Sequence, residues 1–189
     1  DVTTTSTQTY TSGVTLSGAD RTLTASTVNF GSTLAGGTHG LTITGILDLD
    51  GAATNLSTLS VSGTSNLGAD VTTTNNQTYT GNATISNNIT LTTTNANVSF
   101  GGTTDAGTAG DTLTIAAGSG DVTFTGAVGG TIAMGNLTIT TDALSAAAIK
   151  VQGTIDITNT DTSSITGIIS DGASSAIVTK AGSATLTLS

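Results

Sequence analysis

The residue types that could do chemistry are few, and their spacing limits them further. The only histidine is His39, within GGTHG (36–40), there is no cysteine or glutamate, and the cations are Arg21, Lys150 and Lys180. An imidazole acts as a general base when a carboxylate or nucleophile stands beside it. His39 is flanked by Gly and Thr and reads as a loop residue. No G-x-S-x-G elbow supplies an activated serine. Polysaccharide cleavage calls for clustered carboxylates, with basic residues on the same face, and three widely separated cations do not provide that. The chain is therefore expected not to be an enzyme, with no catalytic, cofactor-binding or metal-binding residue and no cofactor.

Two binding chemistries remain. Asp48 and Asp50 in LDLDG stand at alternate positions and could offer hard oxygen ligands to calcium, but the G-G-x-G-x-D nonapeptide repeat is missing, so they read as a solvated strand face. Thr-x-Thr pairs begin at Thr9, Thr22, Thr42, Thr78, Thr112, Thr123, Thr138 and Thr185. Paired Thr rows on a flat face order water in ice-binding β-solenoids, whereas Thr is also the best polar strand former for an outward position. Their intervals, from about 11 to 45 residues against a coil of about 19, favour the second reading. Asn-x-Ser/Thr triplets at Asn55, Asn76, Asn82, Asn88, Asn97 and Asn136 are expected by chance at this Ser and Thr density.

The elements that would position these residues are short strands. Roughly a quarter of the 189 residues are Thr, Gly numbers 25, Pro is absent and aromatics are 3%. Thr favours the half-exposed surface of a strand, and Gly and Asn favour turns. Apolar residues alternate in pairs such as Val28/Phe30, Leu47/Leu49, Leu113/Ile115, Val122/Phe124 and Ile155/Ile157, the period of a strand with one buried face. This patterning argues against disorder. Only ALSAAAIK (143–150) hints at helix, and weakly. Phe30, Phe100 and Phe124 are expected in the core; alternation in QTYT favours inward Tyr10 and Tyr79, the alternative being an outward contact with a glycan or subunit.

A net charge of −9 with three cations excludes a phosphate-binding stripe, hence nucleic acid and anionic membrane surfaces. No apolar run approaches the ~18 residues of a membrane helix. The chain begins at Asp1 without Met or a signal segment, as expected of a mature product or an excised piece. The lack of cysteine leaves the redox compartment open.

DVTTTSTQTYT (1–11) returns as DVTTTNNQTYT (70–80), and the strands that follow return with it. Long repeats run over 1–69 and 70–140, with a diverged repeat over 141–189. Within them the strand centres near Leu23, Thr42, Ser60, Tyr79 and Ser99 step by about 19 residues, the beat of a solenoid coil. A β-sandwich would need more hairpin turns of the NG or DG type. The expectation is an all-β fold: a single right-handed parallel β-helix (β-solenoid) of about ten coils spanning 1–189.

The tracts QTYTGNATISNNITLTTTNANVSFGGTTDAG (77–107) and LTIAAGSGDVTFTGAVGG (113–130) resemble the repeats of filamentous-haemagglutinin-type exoproteins. The tail ITGIISDGASSAIVTKAGSATLTLS (165–189) resembles the autotransporter-associated β-strand repeat. The resemblance implies a right-handed β-helix passenger of a Gram-negative surface protein, extracellular or at the cell surface, serving adhesion, biofilm scaffolding or fibre formation. Partners expected on this reading are copies of the chain stacked end to end or further coils of a longer solenoid, with a glycan or host-surface receptor as a further partner. Ice binding and carbohydrate binding or degradation are the alternatives.

Overall fold

A computed structural model describes residues 1–189. Every regular element is a strand, and every strand pairing is parallel. The chain winds into a three-faced β-solenoid of nine full turns, and Leu186–Leu188 begins a tenth. At about 4.8 Å per stacked strand the rod is roughly 45 Å long.

Face 1 stacks Val2–Thr3, the first halves of Arg21–Phe30 and Leu41–Leu49, then Leu59–Val61, Gln77–Tyr79, Val98–Phe100, Val122–Phe124, Leu144–Ala146, Ser163–Ile165 and Leu186–Leu188. Face 2 stacks Gln8–Tyr10, the second halves of the same two long strands, Ser65–Leu67, Ala83–Ile85 and Thr104–Ala106. It thins to the single bridging residue Val128, then resumes at Ile149–Val151 and Ile169–Asp171. Face 3 is a nine-stranded ladder from Val14–Thr15 to Ile177–Ala181, with one register shift where Val71 and Thr73 pair with Ala53 and Leu56. The hint of helix at 143–150 is not realised: Leu144–Ala146 and Ile149–Val151 are strands on faces 1 and 2. Their alternating buried residues are worth more inside the stack than one or two helical turns would be in isolation.

Alternation accounts for the core. On face 1 the inward row runs Leu23, Ile43, Val61, Tyr79, Phe100, Phe124, Ala146 and Ile165, all buried. Tyr79, Phe100 and Phe124 stack ring on ring at 4.9 and 5.0 Å between centroids, and Tyr10 stacks on Phe30 at 5.1 Å. All three Phe are in the core, as expected. No turn has a core of its own; each is covered by its neighbours.

The corner between faces 1 and 2 is a glycine ladder. A Cβ on Gly45, Gly63, Gly81 or Gly126 would collide with backbone of the turn beneath, and Gly45 also has φ of 134°. Lacking side chains, these residues let the corners nest at strand spacing.

The 69-residue repeat is not a whole number of turns. In its first copy Val2 lies on face 1 and Gln8–Tyr10 on face 2; in its second, Val71 lies on face 3 and Gln77–Tyr79 on face 1. The repeat spans eleven strand positions, three turns and two faces. The faces are therefore interchangeable hosts for the same segment.

Candidate functional site

The repeated motif is a packing device. Gln77 is fully buried, and its Nε2 donates to the Val71 carbonyl (3.3 Å), Thr73 Oγ1 (3.3 Å) and the Thr92 carbonyl of the next turn (2.9 Å). Its Oε1 accepts the Tyr79 hydroxyl at 3.1 Å. Gln8 and Tyr10 repeat the arrangement with Val2, Thr4 and Thr24. Two polar side chains thus enter an apolar core with their hydrogen bonds made. Burial pushes the Tyr79 phenol far above its ordinary range. Tyr79 is inward, and Tyr10 is inward but half-covered because it lies in the first turn.

The acid and amide residues are structural too. Asp48 lies on the outer side of face 2 between Asn29 and Asn66, accepting from Asn29 Nδ2 at 2.7 Å and Asn66 Nδ2 at 2.8 Å. Asp50 follows the strand and is exposed. No group of three or more His, Cys, Asp or Glu side chains has the geometry of a metal site. His39 sits half-buried on the corner before face 1, its amide donating to the Gly36 carbonyl and its carbonyl accepting from Ser57.

The triplet asparagines have roles that chance does not explain. Asn76 Oδ1 accepts the amide of Asn97 (3.0 Å), and Asn97 Oδ1 accepts that of Asp121 (2.8 Å). Asn82, Asn88 and Asn136 do the same for Thr103, Thr112 and Thr154 in the turns above. Asp1, Asp20 and Asp70 cap amides one turn on by carboxylate. Asn55 differs: it holds a left-handed corner at φ 54°. A detectable signal lay in the sequence, since Asn or Asp stands at the corner just before a strand in successive coils.

The threonines are where the structure overturns the spacing argument. Strand pairing sets Thr22, Thr42, Ser60, Thr78, Ser99, Thr123, Ser145, Ser164 and Thr187 side by side as the outward row of face 1. Irregular intervals in the chain become a regular ladder, because turns vary in length, 18 residues between Ser60 and Thr78 but 24 between Ser99 and Thr123, and corner loops absorb the difference. A second row, Thr24, Thr44, Ser62, Thr80, Gly101 and Thr125, runs beside it two residues on; Thr24 pairs with Thr44, and the amides of the last four donate to carbonyls of the turn beneath. The central row carries no charge, and one hydroxyl contact, Ser99 to Thr78 at 3.5 Å, joins its members. The pairs at Thr112 and Thr138 lie on face 3, and the pair at Thr9 on face 2.

The basic residues do not converge. Arg21 reaches the Asp20 and Ser17 carbonyls on the first corner. Lys150 lies on the outer side of face 2, and Lys180 on face 3 of the last turn. The one recess is an open cleft at the C-terminal end, lined by Thr166, Gly167, Ile168, Ile169, Leu188 and Ser189.

The arrangement defines a β-solenoid repeat protein, compatible in architecture with β-helix repeat proteins. Compared with known families, curated proteins and solved structures, the chain matches none.

Proposed function

We propose that the chain is a rigid structural segment of an extracellular or bacterial surface protein, a stalk or fibre subunit with an adhesive outer surface and no active site. The observation that carries this reading is the stack of parallel turns, in which side chains such as Gln77, Asn97 and Asp48 hold successive turns together. The tracts resembling filamentous-haemagglutinin and autotransporter repeats support it. Stacked turns give length without a wider core. Durability is tested by thermolysin digestion of the folded chain with mass mapping. Cleavage confined to the terminal turns is expected, and early cuts within turns three to seven contradict the reading.

A second reading is favoured by one observation, the in-register hydroxyl ladder of face 1. An uncharged outward row with one Thr or Ser per turn, spaced about 4.8 Å along the rod, offers a periodic template for ordered water or ice. Thermal hysteresis of the purified chain tests it. Activity abolished by Thr78→Lys and retained in Thr84→Lys, which alters face 2, is the expected pattern, and an inactive wild type removes the reading.

A further inference from the structure

Face 1 presents two outward rows, not one, and both keep their register through the middle of the rod. The central row runs from Thr22 to Ser164 with one Thr or Ser in every turn. The second row lies two residues on, from Thr24 to Thr166, held by amides that donate to the turn beneath, and it lacks a hydroxyl only at Gly101 and Ala147. The one register shift in these strands comes after Thr24, at the corner. Turns two to five therefore each carry a complete hydroxyl pair, from Thr22/Thr24 to Thr78/Thr80, and turn seven adds Thr123/Thr125. Within these pairs Ser62 Oγ accepts the Gly45 amide at 3.2 Å and Thr78 Oγ1 meets Ser99 Oγ at 3.5 Å; the other hydroxyls have no partner inside the chain. Neither row holds a charged side chain between Thr22 and Thr166, although the net charge is −9.

Spacing makes the two rows a net. Neighbouring turns lie about 4.8 Å apart, and residues two positions apart on a strand about 6.6 Å, so the hydroxyls repeat in two directions at once. A single row fixes bound water only along the rod, whereas two rows fix it across the rod as well. Threonine sharpens the repeat because its branched Cβ restricts χ1 and so limits the directions its hydroxyl can take. Face 3 shows what interrupts such a net. Thr90, Thr114 and Thr138 pair in register there, but Asp156 follows in the same row, and the register shifts at Val71 and Thr73 on the other side. A carboxylate keeps its own hydration shell, which breaks a shared water lattice at Asp156.

We propose that the two rows of face 1 form one two-dimensional water-ordering site, whose ligand is a surface periodic in both directions: a single family of ice planes. The proposal rests on the second reading above and adds to it the second row and the plane selectivity that row imposes.

The chain has no cysteine, so Thr84→Cys, on the outer side of face 2, carries one fluorophore away from both rows. A single ice crystal grown in a solution of the labelled chain should fluoresce on one family of planes. Thr44→Val combined with Thr80→Val removes two second-row hydroxyls, keeps their branched shape, and should lower thermal hysteresis while circular dichroism stays that of the wild type. Ala147→Thr fills a gap in the second row and should raise hysteresis, whereas Ala147→Val, which adds the bulk without the hydroxyl, should not. Gly101 is unsuited to the same test, since a Cβ there would lie 2.6 Å from the Thr80 carbonyl oxygen. Fluorescence over the whole crystal surface overturns the proposal, as does hysteresis that the Thr44/Thr80 double variant and Ala147→Thr both leave at the wild-type level. If Thr78→Lys still abolishes activity in that case, the single-row reading stands without the net. A wild type with no hysteresis removes the net together with the reading beneath it.

Discussion

Replacing Gln77 with Leu keeps the volume of the side chain and removes four hydrogen-bonding contacts from the middle of the rod. Tyr79 Oη then has no acceptor, and the Thr92 carbonyl loses a donor at 2.9 Å. Both residues of the pair are 0% exposed, so water cannot substitute without opening the core. A buried polar group left unpaired costs about 1–3 kcal/mol, and the orphaned phenol places Gln77→Leu at about that loss. Tyr79→Phe alone removes the phenol and leaves Gln77 Oε1 unpaired, about 1–2 kcal/mol. The double variant has no orphaned phenol, so its loss should fall short of the sum by about 1–2 kcal/mol. Urea unfolding followed by far-ultraviolet circular dichroism measures all three. The matching pair in the first turn, Gln8→Leu and Tyr10→Phe, should show smaller effects because Tyr10 is half-exposed. A neutral Gln77→Leu, or strictly additive single effects, would refute the claim that the repeated QTY segment is a satisfied polar staple.

Four further outcomes follow from the same geometry. Phe100→Ala, which removes the middle ring between Tyr79 and Phe124, should cost about 3–5 kcal/mol by the same urea assay. Gly81→Ala puts a Cβ 2.5 Å from the Gly63 carbonyl oxygen and should cost about 1–3 kcal/mol as overpacking, whereas Gly130→Ala, whose nearest neighbour is a side-chain methyl at 3.4 Å, should be nearly neutral. Asn97→Ala frees the Asp121 amide and should speed its hydrogen exchange relative to neighbours, at about 1 kcal/mol of stability. Burial raises the Tyr79 pKa, so the unfolded chain ionises first: stability contributed by the neutral phenol is complete below about pH 10 and declines above it. Tyr79→Phe should flatten that decline in urea midpoints taken between pH 9 and 11.

How far the sequence carried the account depends on which interaction was at stake. Period-two alternation in pairs such as Val122/Phe124 was enough to place inward and outward positions, which follow from the pleat alone, and the beat of about 19 residues named the solenoid. Coil count came out close, nine full turns against about ten, since the length of single turns varies. What stayed hidden was register between distant strands. Thr42 and Ser60 are 18 residues apart, Ser99 and Thr123 are 24 apart, and both pairs are adjacent on face 1. Corner loops such as 129–133, where the Thr131 amide closes onto Asp105 Oδ1 at 2.7 Å, take up extra residues without disturbing the ladder. Asparagine caps were missed because the Asn-x-Ser/Thr triplets read as chance at this Ser and Thr density rather than as a corner followed by a strand. The 69-residue repeat was visible as text, but its displacement by two faces beyond three whole turns appears only when strands are counted around the axis.

The central claim is that distant segments stack in register along one face of a rod. The chain has no native cysteine, so spin labels at Thr42→Cys and Ser145→Cys report on it without background. These positions lie in the same outward row five turns apart, which predicts backbone positions about 24 Å apart at 4.8 Å per turn. Double electron–electron resonance should give one narrow distribution near that value, widened by the label linkers. A broad distribution, or a second pair at Thr42→Cys and Thr123→Cys that fails to come out one turn shorter, would contradict the solenoid register and everything built on it.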